Sequence, residues 1–115
     1  MQLELRGKRL LNKRTKKVLL SHVERATSPA ALAKGLMGRK KLSPGAGFLL
    51  VFPTPSRQGI WMFGMRFAID IIFLDAAMKV IHIVRGAQPL SLDPRTWKIY
   101  RAPKKALYVL EVPFY

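Results

Sequence analysis

Short apolar segments separated by turn-forming residues are the feature that most constrains how this chain folds. Residues 67–74 and 79–84 are two such segments, and the tripeptide Asp75-Ala76-Ala77 lies between them. This arrangement is typical of a β-hairpin, which we place at the core of the fold. With 115 residues, the chain can bury a modest core without a metal ion or disulfides. We therefore predict a single domain over residues 1–115.

Similar short apolar runs occur along the rest of the chain, and each is bounded by Gly, Pro or charged residues. Such runs predict short strands. The first two runs flank a basic tip and predict an opening hairpin. The prolines at 53 and 55 are expected to close the strand that precedes them. The predicted strands cover residues 10–12, 17–23, 48–52, 60–65, 97–101 and 106–112.

One short helix is predicted over residues 29–37. Ser28 can cap its first turn, Pro29 suits the first helical position, and Gly38 can end it in the left-handed conformation. One helix among many strands predicts a mainly β fold of the α+β class. We expect a compact barrel or a sandwich-like antiparallel sheet of about seven to nine short strands with one short helix.

The chain contains no apolar run long enough for a membrane span, which needs about 18 residues. Charged residues interrupt every apolar cluster near the N-terminus, so the hydrophobic segment of a secretory signal is not found there. These features predict a cytoplasmic protein that does not cross a membrane. Cysteine is absent, which is compatible with either redox environment.

The formal net charge of +15 predicts attraction to polyanions. Twelve of the 21 Lys and Arg residues fall within residues 1–41, beside only Glu4 and Glu24. No motif for reading bases is present, so any nucleic-acid binding is expected to be independent of sequence. The alternative is that these cations solvate loops or lie near the negative end of the helix dipole. The proposed anion-binding patch comprises Lys13, Arg14, Lys16, Lys17, Lys40 and Lys41.

The residues available for catalysis are few. His22 and His82 lack a metal-binding spacing and no thiolate ligand exists, so neither a metal site nor a cofactor is predicted. No serine lies in a GxSxG motif, and no glycine cluster has the pattern of a nucleotide-binding loop. His82, between two isoleucines, is expected to be a structural histidine.

Two carboxylates lie inside predicted strands. Asp70 is flanked by Ile69 and Ile71, and Glu111 lies between Leu110 and Val112. A buried carboxylate is costly unless it is paired or hydrogen-bonded. Each is either a pocket acid with a shifted pKa or a structural acceptor of backbone N–H groups. In a regular strand Arg66 shares a face with Asp70 but lies roughly 13 Å from it.

An apolar pocket is a further possibility for Trp61, Met62, Phe63 and Met65, because their rings and thioethers suit a small ligand. Ordinary core packing is the alternative for all four residues.

Four motifs carry a resemblance to a known family: Gly35-Leu-Met-Gly-Arg39, Phe48-Leu-Leu-Val-Phe-Pro53, the run from Ile60 to Asp75, and Tyr108-Val-Leu-Glu-Val112. In this order they resemble the domain of unknown function 192 family, over residues 10–112. The resemblance implies a small β-rich domain without an established activity, found in both exported and cytoplasmic proteins. The positions that it marks as potentially functional are Arg39, Met65, Arg66, Asp70 and Glu111.

Two features depart from the family pattern. Ala68 stands where related chains often have proline, and the sequence ends at Tyr115 where relatives commonly continue with a glycine-containing tail. The second departure bears on whether a barrel could close.

The sequence therefore predicts a non-enzymatic binding domain for a small ligand or an anionic partner, with its site near Trp61, Arg66, Asp70 and Glu111. One alternative is sequence-nonspecific nucleic-acid binding through the basic N-terminal third. Another is a small hydrolase or transferase that uses Asp70 or Glu111 as an acid or base.

Overall fold

The computed structural model describes residues 1–114, so the expectation that concerns a tail after Tyr115 lies outside the described residues. The described chain is mainly β with one short α-helix, as predicted. Its elements in chain order are β1 Leu3–Arg6, β2 Arg9–Asn12, β3 Val18–Leu20, β4 His22–Ala26, α1 Pro29–Lys34, β5 Ala46–Ser56, β6 Ile60–Trp61, β7 Ile69–Leu74, β8 Val80–Ala87, a 3-10 turn at Pro94–Thr96, β9 Ile99–Tyr100 and β10 Ala106–Pro113.

The strands form three sheets. A five-stranded sheet has the order β4-β5-β10-β7-β8, a three-stranded sheet has the order β1-β2-β3, and β6 pairs with β9. All pairings are antiparallel except that of β4 with β5. The arrangement is sandwich-like and the barrel does not close.

Both faces of the five-stranded sheet are buried at its central strands. On one face, Leu49, Leu74 and Leu110 pack with Leu3 and Leu10 of the three-stranded sheet. On the other face, a larger core joins the sheet to α1 and to the loops around residues 36 and 62. Its sheet residues include Phe48, Leu50, Ile69, Ile71, Phe73 and Val109. Burial of both faces explains why β7 and the centre of β10 are almost continuously apolar.

Both predicted hairpins are confirmed. β7 and β8 pair across the predicted turn, where an oxygen of Asp75 accepts hydrogen bonds from the N–H groups of Ala77 and Lys79, each at 2.9 Å. β2 and β3 form the opening hairpin. The predicted strand over residues 17–23 is divided at Ser21, after which the chain enters the five-stranded sheet as β4.

Several element bounds differ from the prediction, and β1 was not predicted. The strand predicted over residues 60–65 ends at Trp61, because the chain turns at Phe63 and Gly64, where Gly64 has a φ of 73°. The strand predicted over residues 97–101 is limited to Ile99–Tyr100.

The helix ends at Lys34, three residues early, because Gly35 adopts a positive φ of 51° and caps it. β5 continues through Pro53 and Pro55 to Ser56. There the pairing with β10 shifts register between Ala106 and Tyr108, and prolines are tolerated at such irregularities because the ladder hydrogen bonds are already interrupted.

Within the part of the chain that is described, no helix has both the length and the apolar character needed to cross a bilayer.

Candidate ligand-binding cleft

A cleft of about 890 Å³ lies beside the larger core. Its walls come from α1, the loop after α1, the proline-containing end of β5, and residues 59–65. Most wall side chains are apolar, including Leu32, Leu50, Phe52, Ile60 and Met65. Both the volume and the apolar lining are typical of sites that bind small molecules.

The carboxyl group of Glu111 lies at the base of this cleft. Glu111 is only 5% exposed, and it is the one charged residue among residues 1–114 that is buried. It belongs to β10, where it lies between Phe48 of β5 and Ile71 of β7. Burial raises the pKa of the Glu111 carboxyl to about 7.

The carboxyl of Glu111 has no hydrogen bond or ion pair with any described residue. Its oxygens are not completely enclosed by protein, because the carboxyl borders the cleft. A buried carboxyl without a partner carries a desolvation cost. A donor within the cleft can reach it, because Glu111 lines the cleft.

Gly35 keeps the space above the carboxyl open. A Cβ atom at this position would lie 3.8 Å from Oε1 of Glu111, and the positive φ of 51° also disfavours a side chain. The helix therefore ends close to the carboxyl without covering it.

The loop after α1 is hydrogen-bonded to the opposite wall of the cleft. The N–H of Gly38 donates to the carbonyl oxygen of Gly64 at 2.9 Å. Gly64 has a φ of 73°, and a Cβ there would overlap the Met37 side chain. Two walls distant in sequence are thus held together by close contact at a glycine.

Two aromatic side chains lie at the mouth of the cleft. Trp61 is 56% exposed and Phe63 is 54% exposed, and their ring centroids are 5.2 Å apart at a tilt of 31°. Lys34, also exposed, lines the cleft at the end of α1.

Asp70 lies away from the cleft. In β10 the neighbours Glu111 and Val112 point to opposite faces of the sheet, and Asp70 pairs with Val112. Asp70 therefore points to the face opposite Glu111. Its Oδ1 accepts the N–H of Gly86 at 2.8 Å.

The contact of Asp70 has a structural cause. The register of β7 with β8 shifts between Ile69 and Ile71, and Gly86 within this irregularity has a φ of 63°. A β-bulge removes a backbone N–H from the ladder, and the carboxylate of Asp70 satisfies it. Asp70 thus acts as the structural acceptor of the two roles that the sequence left open.

Arg39 and Arg66 also lie outside the cleft lining. Arg66 is exposed. Arg39 pairs with Glu24 at 2.8 Å and stacks over the ring of Phe48 at 5.3 Å from its centroid. The Arg39 hydrogen bond holds the pKa of the Glu24 carboxyl below its ordinary value, against the opposing effect of partial burial. The cleft brings together three of the predicted site residues, Trp61, Met65 and Glu111. The other three, Arg39, Arg66 and Asp70, lie outside it.

All six residues of the proposed anion-binding patch are exposed. Lys13, Arg14, Lys16 and Lys17 form the tip of the β2–β3 hairpin. Lys16 approaches Glu4 at 3.4 Å, whereas the other three have no ion pair with the described residues. Within residues 1–114, no group of three or more His, Asp or Glu side chains could hold a metal ion.

Other residues that build the cleft around Glu111 could not be identified from the sequence. The sequence predicts only a helix-ending role for Gly38, and it assigns no site role to Gly35, Gly64, Met37 or Lys34. The available signal was that the motifs Gly35–Arg39 and Ile60–Asp75 both contribute to the family resemblance. They form facing walls of the cleft.

The fold and the cleft define a mainly β, sandwich-like domain with a pocket built over a buried carboxyl. The chain belongs to the DUF192 family, described as "Uncharacterized ACR", whose model matches residues 10–114. The family resemblance of the four motifs is confirmed.

Two relatives are proteins of the uncharacterised group UPF0127. The protein from Thermococcus sibiricus is 33% identical over 108 residues, which cover 90% of this chain and 62% of the relative. The protein from Thermococcus gammatolerans is 29% identical over 104 residues, which cover 90% of this chain and 63% of the relative. The chain thus spans less than two thirds of the length of these relatives.

Two solved structures share the fold. A Sinorhizobium meliloti protein described as a "putative transcription regulator" superposes with a TM-score of 0.78 at 26% identity, over 92% of this chain and 78% of that protein. A Novosphingobium aromaticivorans protein of unknown function has a TM-score of 0.77 at 23% identity, over 99% of this chain and 82% of its own.

Proposed function

We propose that this protein is a non-enzymatic binding domain for a small ligand, which enters the cleft and reaches the carboxyl of Glu111. The observation that carries the proposal is that Glu111 is only 5% exposed, while its carboxyl borders a cleft of about 890 Å³ and has no partner among the described residues. A ligand that donates a hydrogen bond to this group would offset its desolvation cost.

The lining favours binding over catalysis. An acid or base near neutral pH is useful in catalysis only beside a reacting group that a second residue activates or stabilises. The described lining contains no histidine and no carboxyl besides Glu111, and its other charged group, Lys34, is exposed at the mouth. Asp70, the other candidate acid, faces the opposite side of the sheet. A hydrolase or transferase remains the weaker alternative for this reason.

The methionine methyl groups offer a direct test. Met37 and Met65 line the cleft, whereas Met78 packs against the core on the other face of the sheet. In protein labelled with ¹³C at the methionine methyls, titration with hexanol as a neutral probe should shift the NMR signals of Met37 and Met65 saturably. The signal of Met78 is the internal control and should not move.

If the signals of Met37 and Met65 stay unchanged up to the solubility limit of hexanol, the proposal is contradicted. Equal shifts at all methionines would indicate nonspecific partitioning of the alcohol and would contradict it as well.

A second candidate function is sequence-nonspecific binding of a polyanion at the tip of the β2–β3 hairpin. Lys13, Arg14 and Lys17 are exposed there without an ion-pair partner among the described residues, in a chain of net charge +15. The structural relative described as a "putative transcription regulator" is a reason to choose nucleic acid as the probe.

Fluorescence anisotropy with a short DNA duplex of arbitrary sequence tests this candidate. The logarithm of the binding constant should fall linearly with the logarithm of the salt concentration. Changing Lys13, Arg14 and Lys17 to Glu should abolish it, whereas changing the exposed Lys98, Lys104 and Lys105 to Glu, with the same change in net charge, should weaken it less. Equal losses in the two variants would show that the tip is not a specific patch.

A further inference from the structure

We infer that the ligand of this cleft is a small organic cation, in which an ammonium group contacts the Glu111 carboxyl and an apolar or aromatic body fills the space up to Trp61 and Phe63. This inference rests on the proposed function and specifies the chemical class of its ligand.

The distribution of charge in the cleft favours a cation. Only two described lining residues are charged, Lys34 and Glu111. Lys34 is exposed at the mouth and makes no ion pair with a described residue, whereas Glu111 is at the buried base. An anionic ligand would either face Glu111 directly or remain at Lys34 and leave the carboxyl without a partner.

A neutral ligand is a weaker match than a cation. An alcohol or amide can donate a hydrogen bond to the Glu111 carboxylate but carries no charge of its own. An ammonium group donates a hydrogen bond in which both partners are charged, and it compensates the negative charge that burial disfavours. The attraction is strongest when both the ammonium group and the Glu111 carboxyl are ionised.

The aromatic pair at the mouth suits the rest of such a ligand. The rings of Trp61 and Phe63 are tilted by 31° and more than half exposed. Flat rings can pack against the aliphatic or aromatic part of a ligand, and their faces also attract a cation at the mouth of the cleft. The cleft thus combines a carboxyl at its base with π surfaces at its entrance.

Ligand binding should release a proton near neutral pH. Burial raises the pKa of Glu111 to about 7, so a fraction of the free protein carries a neutral carboxyl, and an ammonium group favours the ionised form. Lys34 of α1 is the other titratable group in the described lining. Glu24 and Arg39 lie beyond Phe48, the neighbour of Glu111 in β5, and form an ion pair with each other.

Three probes with the same alkyl chain test the ligand class: hexylamine, hexanol and hexanoate. Their dissociation constants would be measured from the Met37 and Met65 methyl signals at about pH 8, at which the amine is protonated and Glu111 is mainly ionised. Hexylamine should bind at least about tenfold more tightly than hexanol, and hexanoate should bind most weakly. Because a net charge of +15 attracts anions at other surface sites, a preference for the amine reports on the cleft.

The Glu111→Gln variant isolates the contribution of the carboxyl. Hexylamine should lose its advantage, about tenfold, whereas hexanol affinity should change little because the amide still accepts a hydrogen bond. Glu24→Gln is the matched control, since Glu24 lies on the same face of the sheet two strands away and does not line the cleft. It should keep the preference for hexylamine.

Calorimetry of the wild-type protein near pH 7 in two buffers of different ionisation enthalpy provides a measurement that needs no variant. Proton release on binding hexylamine, and none on binding hexanol, is the expected result.

The outcomes separate the two proposals. Hexanol or hexanoate that binds at the cleft as tightly as hexylamine overturns the ligand class and leaves the binding function standing. A preference for hexylamine that survives Glu111→Gln also overturns it. If no probe shifts Met37 or Met65, the proposed function itself fails.

Discussion

The burial of Glu111 makes the stability of this protein depend on pH in an unusual direction. Burial raises the pKa of this carboxyl from 4.5 in the unfolded chain to about 7 in the folded one. Between these values the folded state binds more protons than the unfolded state, so folding is favoured at the lower pH. The contribution is fully present below pH 4.5 and is lost as pH rises through about 7.

Glu111→Gln should remove this pH dependence, because the amide does not titrate. The free energy of unfolding of the wild type, relative to that of the variant, should fall by on the order of 3 kcal/mol between about pH 4.5 and pH 8. Urea denaturation at a series of pH values measures this difference. Parallel pH profiles for the two proteins would show that Glu111 does not titrate as described.

Glu24→Gln should have the opposite effect on the pH profile. The hydrogen bond from Arg39 lowers the pKa of Glu24, so its contribution to stability is present above its unfolded value of 4.5 and is lost as pH falls through the lower folded value. Glu24 is partly exposed, and the effect should therefore be smaller than that of Glu111. Urea denaturation at decreasing pH checks it, and a difference that grows above pH 7 would contradict this account.

Asp70→Ala should destabilise the fold without affecting the cleft. The variant leaves the N–H of Gly86 without its acceptor, at a cost of roughly 1–3 kcal/mol. Asp70→Asn should retain most of the stability, because the amide oxygen can accept the same hydrogen bond. Urea denaturation gives the stabilities, and the hexanol affinity of both variants should match that of the wild type. A loss of hexanol binding in the folded Asp70→Asn protein would show that Asp70 contributes to the binding site.

The contrast between Asp70 and Glu111 shows the limit of sequence reasoning at the residue scale. Both are carboxylates between apolar neighbours, and the sequence identified both as costly to bury. Which one faces a cleft depends on the register of β10 with β7 and on what covers each face. Because both faces of the sheet are buried, no alternation of polar and apolar residues marks the difference.

At the scale of elements, the cleft depends on the contact between the loop after α1 and the turn at Gly64. Gly64→Ala should strain a backbone with φ of 73° and force Met37 to move. The strain costs roughly 1–2 kcal/mol, and the displaced packing adds roughly 1–3 kcal/mol. Hexanol binding should weaken, because Met37 lines the cleft.

Gly7→Ala is the matched control for this substitution. Gly7 also has a positive φ, of 59°, but a Cβ there would meet nothing within 4 Å. It should show the strain alone, with hexanol affinity unchanged. Equal losses of stability in thermal denaturation of the two variants would contradict the proposed contact between Gly64 and Met37.

Most elements were predictable because each has a local cause. The turn at Asp75 and the cap at Ser28 depend on side chains that bond to nearby backbone groups. The missed features depend on distant parts of the chain. β4 pairs with β5 in parallel after the chain leaves the opening hairpin at Ser21. β5 continues through Pro53 and Pro55 where its pairing with β10 is irregular.

For the whole molecule, the net charge of +15 works against compactness. Of the 21 basic side chains, only Arg6, Lys16, Arg39 and Arg95 form ion pairs within residues 1–114. Like charges confined to a folded chain repel one another more than in the expanded unfolded chain. The polyanion site proposed at the hairpin tip would relieve part of this repulsion, as would salt.

The midpoint of thermal unfolding should therefore rise with salt, by about 2–5 °C between low ionic strength and about 0.5 M sodium chloride. Circular dichroism measures the midpoint. A variant in which Lys13, Arg14 and Lys17 are changed to Gln should melt higher than the wild type at low salt and gain less from added salt, because three unpaired cations are removed from one hairpin tip. If instead the midpoint of the wild type falls as salt is added, favourable ion pairs outweigh the repulsion between like charges. The hairpin tip would then lack the excess of unpaired positive charge that is proposed to attract a polyanion.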